Sequence, residues 1–105
     1  MIDNEIIKKS IDYYGKEKQS IVCMEECSEL IQAVSKELRG KTDIEHLAEE
    51  IADVLISIEL LKQIYNVSQS AIYYWINYKQ TRMLERIKYE RFKNMSDYEK
   101  GVKHD

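Results

Sequence analysis

Glu25-Glu26-Cys27-Ser28-Glu29 and Glu49-Glu50-Ile51-Ala52-Asp53 decide how this chain is read. Each has a Glu-Glu pair, then an acid three residues after the second Glu. In each, that acid directly precedes an apolar residue, Leu30 or Val54. On a helix, positions three apart are neighbours, so Glu26 sits with Glu29 and Glu50 with Asp53. Carboxylates crowded beside a hydrophobic face repel one another and lose hydration, which is costly without compensation. A divalent cation is the simplest compensation, and it leaves an open side for phosphate oxygens. Either cluster alone reads as a solvated helix face; the repetition argues for one shared site. All-carboxylate donors suit Mg²⁺, with Mn²⁺ as the alternate, rather than zinc or copper. A di-iron site wants Glu-x-x-His pairs, and neither cluster supplies one.

Working outward, the chain predicts an all-α fold. The sequence has no proline and 3 glycines, which suits helices almost throughout. A first helix is expected from Asp3 to Tyr14, ending near Gly15. A second runs from Lys18 to Leu38 and stops at Gly40, a good C-terminal breaker. Thr42-Asp43-Ile44-Glu45 reads as a capping box that starts a third helix, continuing to Tyr65. Asn66-Val67-Ser68 reads as a turn with Ser68 as N-cap, and a fourth helix runs from Gln69 to Phe92. The expected architecture is a four-helix bundle-type protomer spanning residues 1–93, with a polar C-terminal tail over 94–105.

Helical angles of ~100° per residue sort the faces. In the second helix Cys23, Cys27, Leu30, Ile31, Val34 and Leu38 share an apolar stripe, with Glu26 and Glu29 on its flank beside Val22 and Ala33. In the third helix Ile44, Leu47, Ile51, Val54, Leu55 and Ile58 share a stripe, with Glu50 and Asp53 flanking it beside His46 and Ser57. Antiparallel packing through the two stripes would let both acid pairs converge. His46 reads as a hydrogen-bonding or solvent-facing residue rather than a ligand. In the fourth helix Trp75, Lys79, Arg82 and Arg86 run beside Ile72, Ile76, Met83 and Ile87. Such a row is either a solvated face or the contact for a metal-bound polyphosphate, with Arg able to bind bidentately. Trp75 and the tyrosines Tyr73, Tyr74 and Tyr78 read first as core or subunit interface; Trp75 is also the candidate base platform.

Composition narrows the classes. At 105 residues this is one domain, or one protomer of an oligomer, and a single copy has a modest core. A net charge of −3 gives no general attraction to nucleic acid. No apolar run approaches the ~20 residues that span a bilayer, and the acidic start shows no signal-peptide pattern. Cys23 and Cys27 lack zinc-site spacing and read as reduced thiols packed in a core. The expected location is cytoplasmic, with neither nucleic acid nor membrane as a partner.

The acids in this order resemble a known family. Glu25-Glu26-x-x-Glu29, followed after twenty residues by Glu50-x-x-Asp53, is similar to the EExxE…ExxD signature of the MazG-like all-α nucleoside triphosphate pyrophosphatases. The dimeric dUTPases and phosphoribosyl-ATP pyrophosphatases are related to that family. Gln19 six residues before the motif, Leu30 just after it, Asn66-Val67-Ser68 and Lys79-x-x-Arg82 extend the resemblance from about Tyr14 to Ile87. The resemblance implies a helical protomer of the all-α NTP pyrophosphatase kind that assembles as a homodimer or homotetramer. It implies Mg²⁺-dependent hydrolysis of the α–β phosphoanhydride of a nucleoside triphosphate, giving the monophosphate and pyrophosphate. Carried over by residue, Glu26, Glu29, Glu50 and Asp53 become metal ligands. Glu25 and Glu26 become the catalytic acids, Glu25 as positioner of the attacking water. Lys79 and Arg82 become polyphosphate contacts, and Gln19 approaches the nucleobase or sugar. The extra helices of the larger dimeric dUTPases are missing here, so that particular route to dUTP is the less expected one. The competing readings are a non-catalytic nucleotide- or metal-binding module and a structural helical oligomer.

Overall fold

The computed structural model describes residues 1–101. It contains four helices, α1 (Asn4–Tyr14), α2 (Lys16–Leu38), α3 (Ile44–Ile64) and α4 (Gln69–Asn94), and no strand among the described residues. The chain divides into two compact units, Met1–Ser68 and a second that begins at Gln69.

Local chemistry sets each boundary in the first unit. Asp3 caps α1, its carboxylate accepting from the Glu5 N–H at 2.9 Å. Gly15, at φ 89°, lets the chain turn directly into α2, two residues earlier than the sequence suggests. At the far end of α2, the Gly40 N–H reaches the Glu37 carbonyl at 3.1 Å and Lys41 N–H reaches Lys36 at 2.9 Å, with Gly40 at φ 78°. This is the left-handed helix stop that glycine permits. Asn66 ends α3 the same way, at φ 54°, with the Val67 N–H on the Lys62 carbonyl at 2.9 Å. The start of α3 differs from the expected capping box. Asp43, not Thr42, is the N-cap, and its carboxylate accepts from His46 N–H at 3.0 Å. Both residues can cap, but the Asp43 backbone N–H is already held by Glu37 Oε1 at 2.8 Å, which ties the cap to the end of α2. A cap of this kind contributes about 1 kcal/mol.

Contacts between α2 and α3 run antiparallel: Ser20 meets Tyr65, Cys23 meets Ser57, and Glu37 meets Asp43. The α1 helix lies across one end of this pair. Ile7, Cys23, Leu60 and Ile64 form the apolar core there, with Ile11 and Leu61 packed against it. Each fully buried aliphatic side chain contributes about 1.5–3 kcal/mol. Ser10 donates to the Gln19 amide oxygen at 2.9 Å, and the Gln63 amide reaches the Asn4 carbonyl at 3.4 Å.

The seam between α2 and α3 uses only one edge of each apolar stripe, Cys23 and Leu30 on α2 and Leu47 and Val54 on α3. Ile31 is 70% exposed and Leu38 85%, and Cys27 and Val34 are exposed as well. On α3, Ile44, Ile51, Leu55 and Ile58 are exposed. The buried line on α2 is Gln19, Cys23 and Ala33, with Val22, Glu26 and Leu30 half-buried between them. On α3 it is Glu50, Ser57, Leu60 and Ile64, with His46, Leu47, Asp53 and Val54 half-buried. The acid flank of each helix therefore faces its neighbour. Small residues explain the choice: Cys23, Ala33 and Ser57 let two helices approach closely, whereas a seam of Ile and Leu holds them apart. The expectation that both thiols are core also changes, since Cys23 is buried and Cys27 exposed.

α4 extends two residues past the expected Phe92, and none of its residues is buried. Ser96 caps the turn that follows, its Oγ accepting from the Glu99 N–H at 3.3 Å. The expected tail over 94–105 thus begins with helix and turn, and its last four residues, 102–105, lie outside the described residues.

Candidate metal centre

The acid pairs of α2 and α3 meet at the middle of the seam. One carboxylate oxygen from each of Glu26, Glu29, Glu50 and Asp53 lies within 4.8 Å of the other three. The antiparallel register puts Glu26 opposite Asp53, and the three-residue spacing on each helix adds Glu29 and Glu50. Glu50 is 5% exposed. The Oε2 atoms of Glu50 and Glu26 are buried with no hydrogen-bond partner. Among the described residues, no lysine or arginine pairs with any of the four acids. The nearest balancing group is His46, whose Nε2 stands 3.8 Å from Glu50 Oε1.

The electrostatics follow from this crowding. The Glu26 carboxyl is pushed up from its ordinary 4.5 to about 7. Desolvation is the largest cause, followed by the charges of Asp53 and Glu29, a hydrogen bond shared with Asp53, and the charge of Glu50. Glu50 is raised too, first by burial and then by the Glu29 charge, with His46 acting in the opposite direction. Buried carboxylate oxygens without donors, turned towards other carboxylates, are what a cation relieves. The donor set fits a hard divalent ion: four oxygens from four side chains, one face half open, and no nitrogen or sulfur among them. These four residues could hold a metal ion.

Glu25 is exposed on α2, next to Glu26 in sequence and outside the four-acid group. Gln19 is buried two turns before Glu26 on the same face, its amide oxygen taken by Ser10. Lys79, Arg82 and Trp75 are exposed on α4, in the second unit. There the Trp75 ring makes edge contacts with Tyr74 at 5.3 Å and Tyr78 at 5.7 Å. The Arg82 guanidinium lies over the Tyr78 ring at 5.9 Å. The sequence signal for His46 was its place on the acid flank, one turn before Glu50, and the structure pairs it with that residue.

An all-α fold brings Glu-x-x-Glu and Glu-x-x-Asp together across one antiparallel helix pair, in a carboxylate group that could hold a cation. The family model of the MazG nucleotide pyrophosphohydrolase domain matches residues 16–82, which contain both acid pairs, and the chain belongs to that family. No curated protein and no solved structure matches the chain. No helix among the described residues is long and apolar enough to cross a membrane.

Proposed function

We propose that this protein is a Mg²⁺-dependent pyrophosphohydrolase that cleaves the α–β phosphoanhydride of a (deoxy)nucleoside triphosphate, releasing the monophosphate and pyrophosphate. Membership of the MazG family supports the reaction class. The observation that carries the residue assignment is the four-acid group, with donor atoms within 4.8 Å and two buried oxygens lacking partners. Glu26, Glu29, Glu50 and Asp53 hold the ion. When bound, Mg²⁺ supplies charge neutralisation and polarises a phosphoryl oxygen. Glu25 and Glu26 orient the attacking water and take its proton. In the reaction one phosphorus gains the water oxygen, and the bridging oxygen leaves with the other. Lys79 and Arg82 offset the negative charge that grows on the leaving pyrophosphate. Trp75 stacks on the base, and Gln19 contributes towards the nucleoside. Positioning and electrostatics of this kind carry most phosphoryl-transfer catalysis.

The working unit is a homodimer or homotetramer. Within one copy the buried apolar residues are few, namely Ile7, Cys23, Ala33, Leu60 and Ile64. Ile31, Val34 and Leu38 on α2 and Ile44, Ile51, Leu55 and Ile58 on α3 stay exposed, and α4 carries Ile72, Ile76, Met83 and Ile87 with none buried. Exposed apolar residues in such number are a mark of association. Light scattering on a sizing column is expected to give two or four copies. A monomer at micromolar concentration overturns this part of the reading.

The activity is tested by pyrophosphate release from a panel of canonical and modified nucleoside triphosphates. Release with Mg²⁺, lost in excess EDTA, is the expected result. Undiminished release in EDTA removes the metal from the reading. A Mg²⁺-dependent rise in melting temperature without release from any nucleotide marks a binding module instead, since a ligand of the native state must stabilise it.

A further inference from the structure

Glu50 is the most deeply buried acid of the cluster, and its carboxylate is free to turn about χ3 unless something holds it. A terminal torsion of this kind is broad and roughly two-fold. Oε2 has no partner. The group near the other oxygen is His46, with Nε2 3.8 Å from Oε1. That distance is longer than a hydrogen bond, so the two groups are adjacent across one helical turn without being bonded.

His46 is itself fixed from behind. Its backbone N–H is held by Asp43 Oδ1 at 3.0 Å, and the Asp43 N–H is held by Glu37 Oε1 at 2.8 Å. A chain of contacts thus runs from the end of α2, through the first turn of α3, to the acid cluster. The side chain of His46 is 39% exposed and that of Glu50 7%, so the imidazole closes the outer edge of the site.

We propose that His46 is a positioning residue for the metal centre: its imidazole N–H holds Glu50 Oε1 and thereby fixes the plane in which the carboxylate meets the ion. This rests on the reading of the four acids as a cation site. An imidazole suits the task, because its N–H is a directional donor on a short, stiff side chain. A lysine at the same position would compete with the ion for Glu50. Outer-shell hydrogen bonds of this type are typically worth 10–100-fold in metal affinity.

Mn²⁺ alone is the probe, with affinity read at pH 7.5 by titration calorimetry and by electron paramagnetic resonance of the free ion. His46→Ala is expected to weaken Mn²⁺ binding ~10-fold. His46→Gln keeps an N–H donor at helical reach of Glu50 and is expected to stay within a few-fold of wild type. His46→Lys is expected to bind more weakly than His46→Gln. Melting without metal supplies the control, since a merely structural histidine would change the metal-free melting temperature and leave the affinity alone. Wild-type affinity in His46→Ala overturns the inference, and so does an equal loss in His46→Ala and His46→Gln. Failure of the wild-type protein to bind Mn²⁺ is a different outcome: it overturns the cation site itself, and the inference with it.

Discussion

Asp53→Asn and Glu29→Gln are each expected to abolish Mg²⁺-dependent pyrophosphate release, by ~100-fold or more. Each change keeps the side chain's size and removes one charge from a group whose donor atoms lie within 4.8 Å of one another. A bound divalent ion supplies several kcal/mol of transition-state stabilisation, and every 1.36 kcal/mol is tenfold in rate. Losing one ligand of four therefore costs at least two orders of magnitude. The fold should survive, because the substitution relieves like-charge repulsion in a half-buried cluster. Far-UV circular dichroism and a melting curve check that point. Glu49→Gln is the control: Glu49 is exposed and outside the four-acid group, so its variant should turn over like wild type. Activity within a few-fold of wild type in both Asp53→Asn and Glu29→Gln would show that the catalytic centre lies elsewhere.

Much of this site was legible in the sequence, and for a definite reason. The acids are placed by helical spacing, and helical spacing is local. Glu26 with Glu29, and Glu50 with Asp53, need only that both stretches be helical. The helix ends were legible where one residue type dictates the backbone, as at Gly15, Gly40 and Asn66, all at positive φ. The rotation of the helices was not. Apolar periodicity ranks the faces of a helix by hydrophobicity, and it does not say which neighbour each face meets. In α2 the more apolar face, with Ile31 and Leu38, stays open, while the face holding Cys23, Glu26 and Ala33 packs on α3. Convergence of the acids survived that error because they sit on the packed face itself. The cap of α3 falls one residue beyond the expected one for a similar reason. Thr42 and Asp43 both carry capping side chains, and the Asp43 N–H is held by Glu37 from another helix. Lys79, Arg82 and Trp75 lie in the second unit, where residue type and face are all that the sequence supplies.

Without metal, the protein is expected to melt at a higher temperature at pH 5.5 than at pH 8, and Glu26→Gln should remove much of that difference. The sign follows from linkage. Glu26 ordinarily titrates at 4.5 and in the folded chain at about 7. Between those values the unfolded chain releases its proton while the folded chain keeps it. Stability from this group is therefore complete below the ordinary value and is lost as pH rises through the folded one. Glu50 is shifted in the same direction and adds to the slope. Between pH 5.5 and the folded value of about 7 the ceiling is ~2 kcal/mol at 1.36 kcal/mol per pH unit, and solvent screening of this half-buried group reduces it to on the order of 1 kcal/mol. In a domain of this size each kcal/mol moves the melting temperature by roughly 4–8 °C. The effect is thus large enough to read in a simple buffer series. Glutamine cannot ionise, so Glu26→Gln should be the more stable protein at pH 8, and its lead over wild type should shrink as pH falls towards the ordinary Glu26 value of 4.5. Mg²⁺ added at pH 8 should raise the wild-type melting temperature and leave Glu26→Gln much less affected, because the charge that destabilises the metal-free fold is the charge that holds the ion. A wild-type melting temperature that stays flat from pH 5 to 8 would mean that the carboxylates part and hydrate in solution, and that their crowding costs the fold nothing.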